Sequence, residues 1–131
     1  MIELDGQQFG VVAMKKTHVF LTLPVPPSAN RYWRNIRGRM VVSQEAQDYK
    51  QLVRLACAEI VPLRKEFPVG ISFTFYRARK SGDLDNRIKV VLDALNGVIY
   101  DDDDQVVEIH AKRADDKENP RIVLEAWKVK E

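Results

Sequence analysis

The sequence is poor in residues that form disulfides or bind transition metals: of its 131 residues, one is cysteine and two are histidine. A single cysteine excludes an internal disulfide and a cysteine-rich metal site. The apolar neighbours of Cys57 predict a small buried residue in a helix, not a reactive thiol. The longest apolar stretch, HVFLTLPVPP, is broken by prolines, so we predict no membrane-spanning segment. The first ten residues lack the basic start and apolar run of a signal peptide, and we expect a reducing, cytoplasmic setting.

The composition is that of an ordinary globular protein, with 45% hydrophobic and 31% charged residues, and we predict one domain over residues 1–131. The small net charge of +2 hides a segregation. Residues 31–80 hold eleven Lys or Arg against four acids, whereas residues 83–104 hold seven Asp against only Arg87 and Lys89. A basic region can hold phosphates and an acidic cluster can hold a cation, although a solvated acidic surface is the alternative.

Hydrophobic periodicity and turn signals predict the order β-α-β-α-β-β. We expect Ser43 to cap the first helix, Leu52, Leu55 and Ala56 to form its apolar stripe, and Gly97 to stop the second helix. The strands are predicted at 17–24, 69–79, 105–113 and 121–129, the helices at 43–61 and 84–96, a loop at 28–40, and a hairpin or irregular arm at 1–16. This order favours an α+β fold in which two helices pack on one face of a mixed β-sheet as a two-layer sandwich.

The acidic cluster begins at the start of the second helix, where Asp83 and Asp85 flank Leu84. Helix capping is the simplest interpretation of this pair, since acids favour the N-terminal end of the helix dipole. However, Asp85, Lys89 and Asp93 follow one another at four-residue spacing and line one helix face. Four further aspartates, at 101–104, begin four residues after Gly97, and we expect them to fold back near the same site.

Oxygen ligands without histidine or cysteine favour Mg²⁺ or Mn²⁺ over zinc. An EF-hand is excluded because Ile88 stands where that loop requires glycine. The Asp-x-Asp of nucleotide-sugar transferases is another analogy, but that chemistry needs a larger nucleotide-binding fold. A cation held by two or three carboxylates suits phosphodiester hydrolysis. Lys89 is then a candidate for stabilising charge on the phosphate, unless it only forms a salt bridge with Asp85 worth ~0.4 kcal/mol.

The segment NRYWRNIRGR interleaves arginines with aromatic side chains. Guanidinium groups pair with phosphates and aromatic rings stack on unpaired bases, so DNA contact is one interpretation. The other is a proline-anchored loop whose aromatic residues pack on the core. The candidates are Arg31, Tyr32, Trp33, Arg34, Arg37 and Arg39.

Three stretches together resemble the RusA family of Holliday junction resolvases, which bacteriophages and prophages often carry: LPVPPSANRYWRNIRGRMVVSQEAQDYK, DLDNRIKVVLDAL and GVIYDDDDQVV. The resemblance runs from about Val19 to Glu125. Each motif alone is weakly specific, but their order and spacing are characteristic.

The resemblance implies a homodimeric α+β endonuclease that cuts four-way DNA junctions with Mg²⁺ or Mn²⁺, in DNA recombination and repair. By motif, the catalytic and metal-binding aspartates fall on Asp83, Asp85 and Asp103, and the essential lysine falls on Lys89. Four consecutive aspartates stand where the family pattern has two, so Asp102 or Asp104 could share the role of Asp103.

Basic residues before the first aspartate extend the expected DNA-binding set to Arg77, Arg79 and Lys80, although Ser81 and Gly82 separate them from Asp83. A two-fold dimer would match a substrate that needs two symmetric nicks. Two alternatives remain: a non-catalytic protein that binds branched DNA, and a nuclease that acts on flaps or other branches.

Overall fold

A computed structural model of the chain describes residues 1–77 and 84–129, with the backbone alone for Ala29 and Asp85. The described residues form eight strands, three α-helices and one 3₁₀ turn. The strands are β1 (Ile2–Leu4), β2 (Gln7–Lys15), β3 (His18–Leu23), β4 (Trp33–Ile36), β5 (Arg39–Val42), β6 (Val69–Arg77), β7 (Val106–Asp115) and β8 (Arg121–Lys128). The helices are α1 (Ala29–Tyr32), α2 (Gln44–Ala56) and α3 (Leu84–Ala94), and the 3₁₀ turn is Asp103–Gln105.

Six strands form one mixed sheet in the order β1-β2-β3-β8-β6-β7. Its pairings are antiparallel except between β6 and β7, which run parallel and are joined through α3. Residues 1–15 therefore form a hairpin whose second strand extends the sheet. The predicted α+β class with a mixed sheet is confirmed, while the predicted element order omitted four strands, β1, β2, β4 and β5, and the short helix α1.

The core lies between one face of the sheet and helices α2 and α3. Alternate residues of β3 point into it, so that Val19, Leu21 and Leu23 are all buried as their spacing predicts. The predicted stripe of α2 is wrong in part, because Leu55 is 62% exposed. The buried face consists of Ala46, Tyr49, Val53 and Ala56. Small alanines allow the helix to lie close to its neighbours, a packing preference that leucine-based periodicity does not reveal.

The ends of both long helices follow local sequence signals. Ser43 caps α2 by accepting a hydrogen bond from the backbone N–H of Ala46 at 3.1 Å. Gly97 has a φ of +76°, the left-handed conformation that glycine adopts without steric cost, and α3 has ended just before it. Cys57 is buried directly after α2, and burial raises the pKa of its thiol to about 11, as expected for an unreactive residue.

The predicted loop at 28–40 is wrong, because this segment contains α1, β4 and the start of β5. Strands β4 and β5 pair as a separate two-stranded hairpin, which we call the basic hairpin (33–42). Arg37 and Gly38 form its two-residue turn with φ values of +53° and +81°. Positive φ at both turn residues matches the right-handed twist of paired strands and closes a tight hairpin.

Trp127 of β8 lies directly over Gly70 of β6, where a Cβ would stand 2.4 Å from the indole ring. Only glycine leaves room for this contact. The rings of His18 on β3 and of His110 on β7, beyond β6, stack on the same indole. Separately, the structure describes no helix long and apolar enough to cross a membrane.

Candidate active site

The run of four aspartates is folded by one buried glutamine. Gln105 is 4% exposed, and its Nε2 donates to the backbone carbonyls of Leu63, Arg64 and Phe67 at 3.2, 2.8 and 2.9 Å. Its Oε1 accepts from the backbone N–H of Asp102 at 2.9 Å. The Asp102 side chain in turn caps the 3₁₀ turn, which completes a capping box. The acidic run is therefore fixed against residues 63–67.

This arrangement gives the four aspartates different surroundings. Asp101 is exposed, Asp102 is occupied as a cap, and Asp104 lies 3.8 Å from the ammonium group of Lys65. Asp103 is half-buried and lies near the Asn96 side chain, which partly offsets the rise in its pKa. Burial raises its pKa, and the neighbouring carboxylates of Asp102 and Asp93 raise it further. Asp103 is thus the member of the run that other carboxylates surround.

Asp93 joins all three α-helices. Its Oδ2 accepts a hydrogen bond from the hydroxyl of Tyr32 in α1 and lies 3.0 Å from Nζ of Lys50 in α2. Tyr32 is 0% exposed, and burial followed by the bond to Asp93 raises the pKa of its hydroxyl above the ordinary value. Sequence reasoning placed Asp93 on the acidic helix face but did not identify Tyr32 or Lys50 as its partners. A lysine and a tyrosine far apart in sequence carry no local signal for such a contact.

The other predicted site residues lie toward the N-terminal half of α3. Asp85 belongs to the first turn of the helix and Lys89 is exposed one turn later. Arg87 donates to the carbonyl of Pro26 at 3.0 Å and ties this half of α3 to the proline segment. Asp83 lies outside the described residues. An α-helix rises 1.5 Å per residue, so the backbone of Asp85 stands about 12 Å along the axis from Asp93. The acidic run therefore folds back to the C-terminal end of α3, beside Asp93.

The predicted DNA-binding residues divide into exposed and occupied groups. Arg34, Arg37 and Arg39 are exposed on the basic hairpin. Arg31 pairs with Glu45, and Arg77 pairs with Asp115 at 2.8 Å. Tyr32 is buried and not available to stack on a base, as the core-packing interpretation expects. Trp33 is half-buried with its ring edge-on to Tyr32 at a centroid distance of 4.7 Å. Arg79 and Lys80 lie outside the described residues.

The described residues are compatible with a divalent cation but do not by themselves complete a site for one. No group of three or more candidate ligands stands together within 1–77 and 84–129, a set without Asp83 or the side chain of Asp85. Burial and the neighbouring carboxylates of Asp102 and Asp93 raise the pKa of Asp103, so a bound cation would favour its charged form. The side-chain oxygen of Asn96 is buried there without a hydrogen-bond partner. Carboxylate and amide oxygens of this kind are the ligands that Mg²⁺ and Mn²⁺ prefer.

Comparison with known proteins identifies the family of this chain. A family model described as endodeoxyribonuclease RusA matches residues 24–126. The chain belongs to the RusA family. The matched range begins at the end of the sheet's third strand and includes the basic hairpin, all of α3 and the acidic run. The family model leaves residues 1–23 unmatched.

Curated members of the RusA family match this chain over most of their length. The Crossover junction endodeoxyribonuclease RusA of Escherichia coli (strain K12) is 41% identical over 91 residues, which cover 67% of this chain and 76% of the relative. The proteins of that name from Enterobacteria phage 82 and Shigella sonnei (strain Ss046) are each 40% identical over 91 residues, with the same shares covered.

Proposed function

We propose that this protein is a metal-dependent endodeoxyribonuclease that resolves four-way DNA junctions by paired symmetric nicks, in DNA recombination and repair. The family match over residues 24–126, with curated relatives named crossover junction endodeoxyribonucleases, is the observation that carries this proposal. Such an enzyme needs carboxylates that hold a cation and basic side chains that bind phosphates. The half-buried Asp103 and the exposed arginines of the basic hairpin support these two roles.

In the proposed enzyme, Asp83, Asp85 and Asp103 hold Mg²⁺, with Mn²⁺ as a substitute. When bound, the cation would lower the pKa of a water, polarise a phosphoryl oxygen and stabilise the leaving oxygen. Asp103 is the third ligand, ahead of Asp102 and Asp104, because Asp102 caps the 3₁₀ turn and Asp104 faces Lys65. In this proposal one acidic run therefore contains both a metal ligand, Asp103, and a structural cap, Asp102.

Lys89 supplies positive charge to the scissile phosphate in this proposal. It is exposed on α3, one turn after Asp85, so that its ammonium group can reach a bound backbone. Lys50 has a different role, because it neutralises Asp93 at 3.0 Å. Asp93 and its partners Tyr32 and Lys50 position the C-terminal end of α3 and do not touch the reacting atoms.

A homodimer fits both the substrate and the spacing along α3. Two symmetric nicks require two equal sites, which a two-fold dimer presents to a two-fold junction. Within one chain, Asp85 lies in the first turn of α3 whereas Asp103 lies beside Asp93, about 12 Å along the axis. A second copy can bring the Asp85 end of one α3 to the Asp103 end of the other.

Mixing two inactive variants tests this arrangement. Asp85→Asn and Asp103→Asn proteins, unfolded together and refolded, should recover nicking if each site draws on both chains, because half of the mixed dimer's sites then carry no substitution. Each variant refolded alone provides the baseline. Recovery no greater than that baseline would show that each site is complete within one chain.

The function itself is tested by nicking of a labelled synthetic four-way junction, beside linear duplex and flap substrates. We expect paired symmetric nicks in the junction with Mg²⁺, and none with EDTA or with Asp85→Asn. Asp48→Asn, an exposed carboxylate on α2, is the matched control and should retain full activity. Asp104→Asn should retain activity as well, whereas Asp103→Asn should not.

Other outcomes correspond to the two alternative functions. Binding of the junction without any cut, with or without metal, would indicate a non-catalytic protein for branched DNA. Equal cutting of flaps and junctions would indicate a nuclease with broader specificity, which the same carboxylates would serve.

A further inference from the structure

The basic hairpin has one anchored face and one open face. Its register pairs Trp33 with Val42, Arg34 with Val41, Asn35 with Met40, and Ile36 with Arg39. Successive pairs point to opposite faces of a two-stranded sheet. The Trp33–Val42 pair packs against the buried Tyr32, Ala46 and Val90. The open face therefore carries Arg34 and Val41 in one row and Ile36 and Arg39 in the next.

All four side chains of the open face are exposed, and Ile36 is 53% exposed. Ile36 and Val41 are diagonal neighbours, because Val41 stands two residues beyond the partner of Ile36. Diagonal neighbours lie roughly 7 Å apart between their Cα atoms, within reach of side-chain contact. The face thus presents an apolar strip, formed by these two neighbouring side chains, between two guanidinium groups.

Among the described residues, no carboxylate pairs with the exposed arginines of this hairpin. Within the part of the chain that the structure describes, Arg34, Arg37 and Arg39 form no ion pair, whereas Arg31 at the base is paired with Glu45. Such a strip with flanking cations is complementary to nucleic acid at a place where bases as well as phosphates are accessible. Regular duplex presents phosphates at its surface and keeps its bases stacked inside. A branch point differs, because base pairs there can lose a stacked neighbour.

The hairpin is ordered before any ligand arrives. The Asn35 side-chain oxygen accepts from the backbone N–H of Gly38 at 3.0 Å and supports the turn. At the base, Ser43 donates to the carbonyl of Arg31 through its hydroxyl at 2.6 Å and to that of Tyr32 through its backbone N–H at 2.9 Å. A pre-ordered element loses little conformational entropy on binding. Tyr32 at this base also donates to Asp93, so hydrogen bonds link the hairpin to the acidic site.

We propose that Ile36 and Val41 form an apolar wedge that packs on an exposed base pair at the branch point, while Arg34 and Arg39 bind the flanking phosphates. This inference rests on the proposed function, since it assigns the contact by which a junction nuclease recognises its substrate. Isoleucine side chains inserted at base steps, flanked by arginine, are a known means by which proteins unstack and kink DNA. The wedge accounts for the exposed apolar pair, which the phosphate contacts alone do not require.

The test uses a four-way junction with 2-aminopurine beside the branch point, whose fluorescence rises when the base loses its stacked neighbour. With wild-type protein in EDTA we expect a fluorescence increase of about threefold or more. Ile36→Thr keeps the branch at Cβ but replaces the ethyl group by a hydroxyl, and it should lose most of this increase. It should weaken junction binding by about fivefold, the lower end of what one stacked base contributes. Binding to linear duplex should change by less than about twofold.

Two further variants act as controls. Val12→Thr likewise replaces an apolar branch, here a methyl group, by a hydroxyl at a 62% exposed strand residue. Val12 lies in β2, far from the basic hairpin. Strand β2 contacts α2 at Ala56, the last residue of that helix, whereas the hairpin adjoins its first residue, about 18 Å away along the helix axis. Val12→Thr should match wild type in fluorescence and affinity. Arg39→Gln should weaken binding to junction and duplex alike and reduce the slope of log affinity against log salt by about one.

The outcomes separate the wedge from the function. If wild-type protein nicks the junction in Mg²⁺ but the fluorescence does not rise, or Ile36→Thr behaves as wild type, the wedge is refuted and the nuclease stands. If wild-type protein neither binds nor nicks the junction, the proposed function fails, and the wedge fails with it.

Discussion

The amide of Gln105 is predicted to support both stability and activity. Gln105→Met keeps the side-chain volume but removes the two donors that serve three backbone carbonyls and the acceptor that serves Asp102. Each net hydrogen bond is worth about 1 kcal/mol, so the free energy of unfolding should fall by about 3 to 4 kcal/mol. On unfolding, globular proteins gain about 2.1 cal/mol/K of entropy per residue, or ~0.28 kcal/mol/K for this chain. The expected fall in Tm is therefore roughly 12 °C.

Differential scanning calorimetry measures the shift, and Gln51→Met is the matched control because Gln51 is exposed on α2. The control should differ from wild type by less than about 0.5 kcal/mol. Gln105→Met should also nick junctions more slowly at 20 °C, where it remains folded, because Asp103 is no longer held against residues 63–67. A Tm within about 3 °C of wild type would refute the reasoning, and so would full activity with the expected loss of stability.

Two further predictions concern the carboxylates. Tyr32→Phe removes the hydroxyl that donates to Asp93 and should lower the free energy of unfolding, measured by urea titration, by about 1.5 kcal/mol. Tyr76→Phe is the control, because the ring of Tyr76 stacks under Arg121 and the loss of its hydroxyl should leave stability unchanged. Equal effects of the two substitutions would contradict the role of Asp93. Because the pKa of Asp103 is raised above its ordinary 3.8, native protein binds more protons than unfolded protein between the two values, and stability falls as pH rises through that interval. In metal-free buffer Asp103→Asn should therefore be more stable than wild type at pH 7, with a difference that disappears near pH 3.5, and a constant difference would contradict the prediction.

Much of the fold follows from short-range patterns. Ser43 and Gly97 mark helix ends through their own conformational preferences, and alternation in β3 correctly placed Val19, Leu21 and Leu23 in the core. The basic hairpin was not predicted because neither of its four-residue strands alternates clearly between polar and apolar residues. Its Arg-Gly turn also lacks the Asn-Gly or Asp-Gly pair that usually signals such a turn. The β1–β2 hairpin, which turns at Asp5–Gly6, was anticipated as one possibility.

The site was less predictable than the fold, because its selectivity depends on contacts between distant residues. The family motif pointed to Asp103 but left open whether Asp102 or Asp104 shares its role. Their separation into a cap, a half-buried carboxylate and a lysine neighbour depends on the 3₁₀ turn, which Gln105 fixes by hydrogen bonds to backbone carbonyls at least 38 residues earlier in the chain. The use of Tyr32 as a buried donor to Asp93 likewise could not be read from a motif in which it stands between two arginines.

The two tryptophans provide separate optical reporters. Trp127 lies on Gly70 between strands of the central sheet, so its emission should follow global unfolding. Trp33 stands at the base of the basic hairpin, edge-on to Tyr32, so its emission should respond when DNA engages the hairpin. A Trp127→Phe protein would leave one indole beside the proposed recognition surface. The chain thus contains an intrinsic probe with which the order of DNA docking and strand cleavage can be timed without an added label.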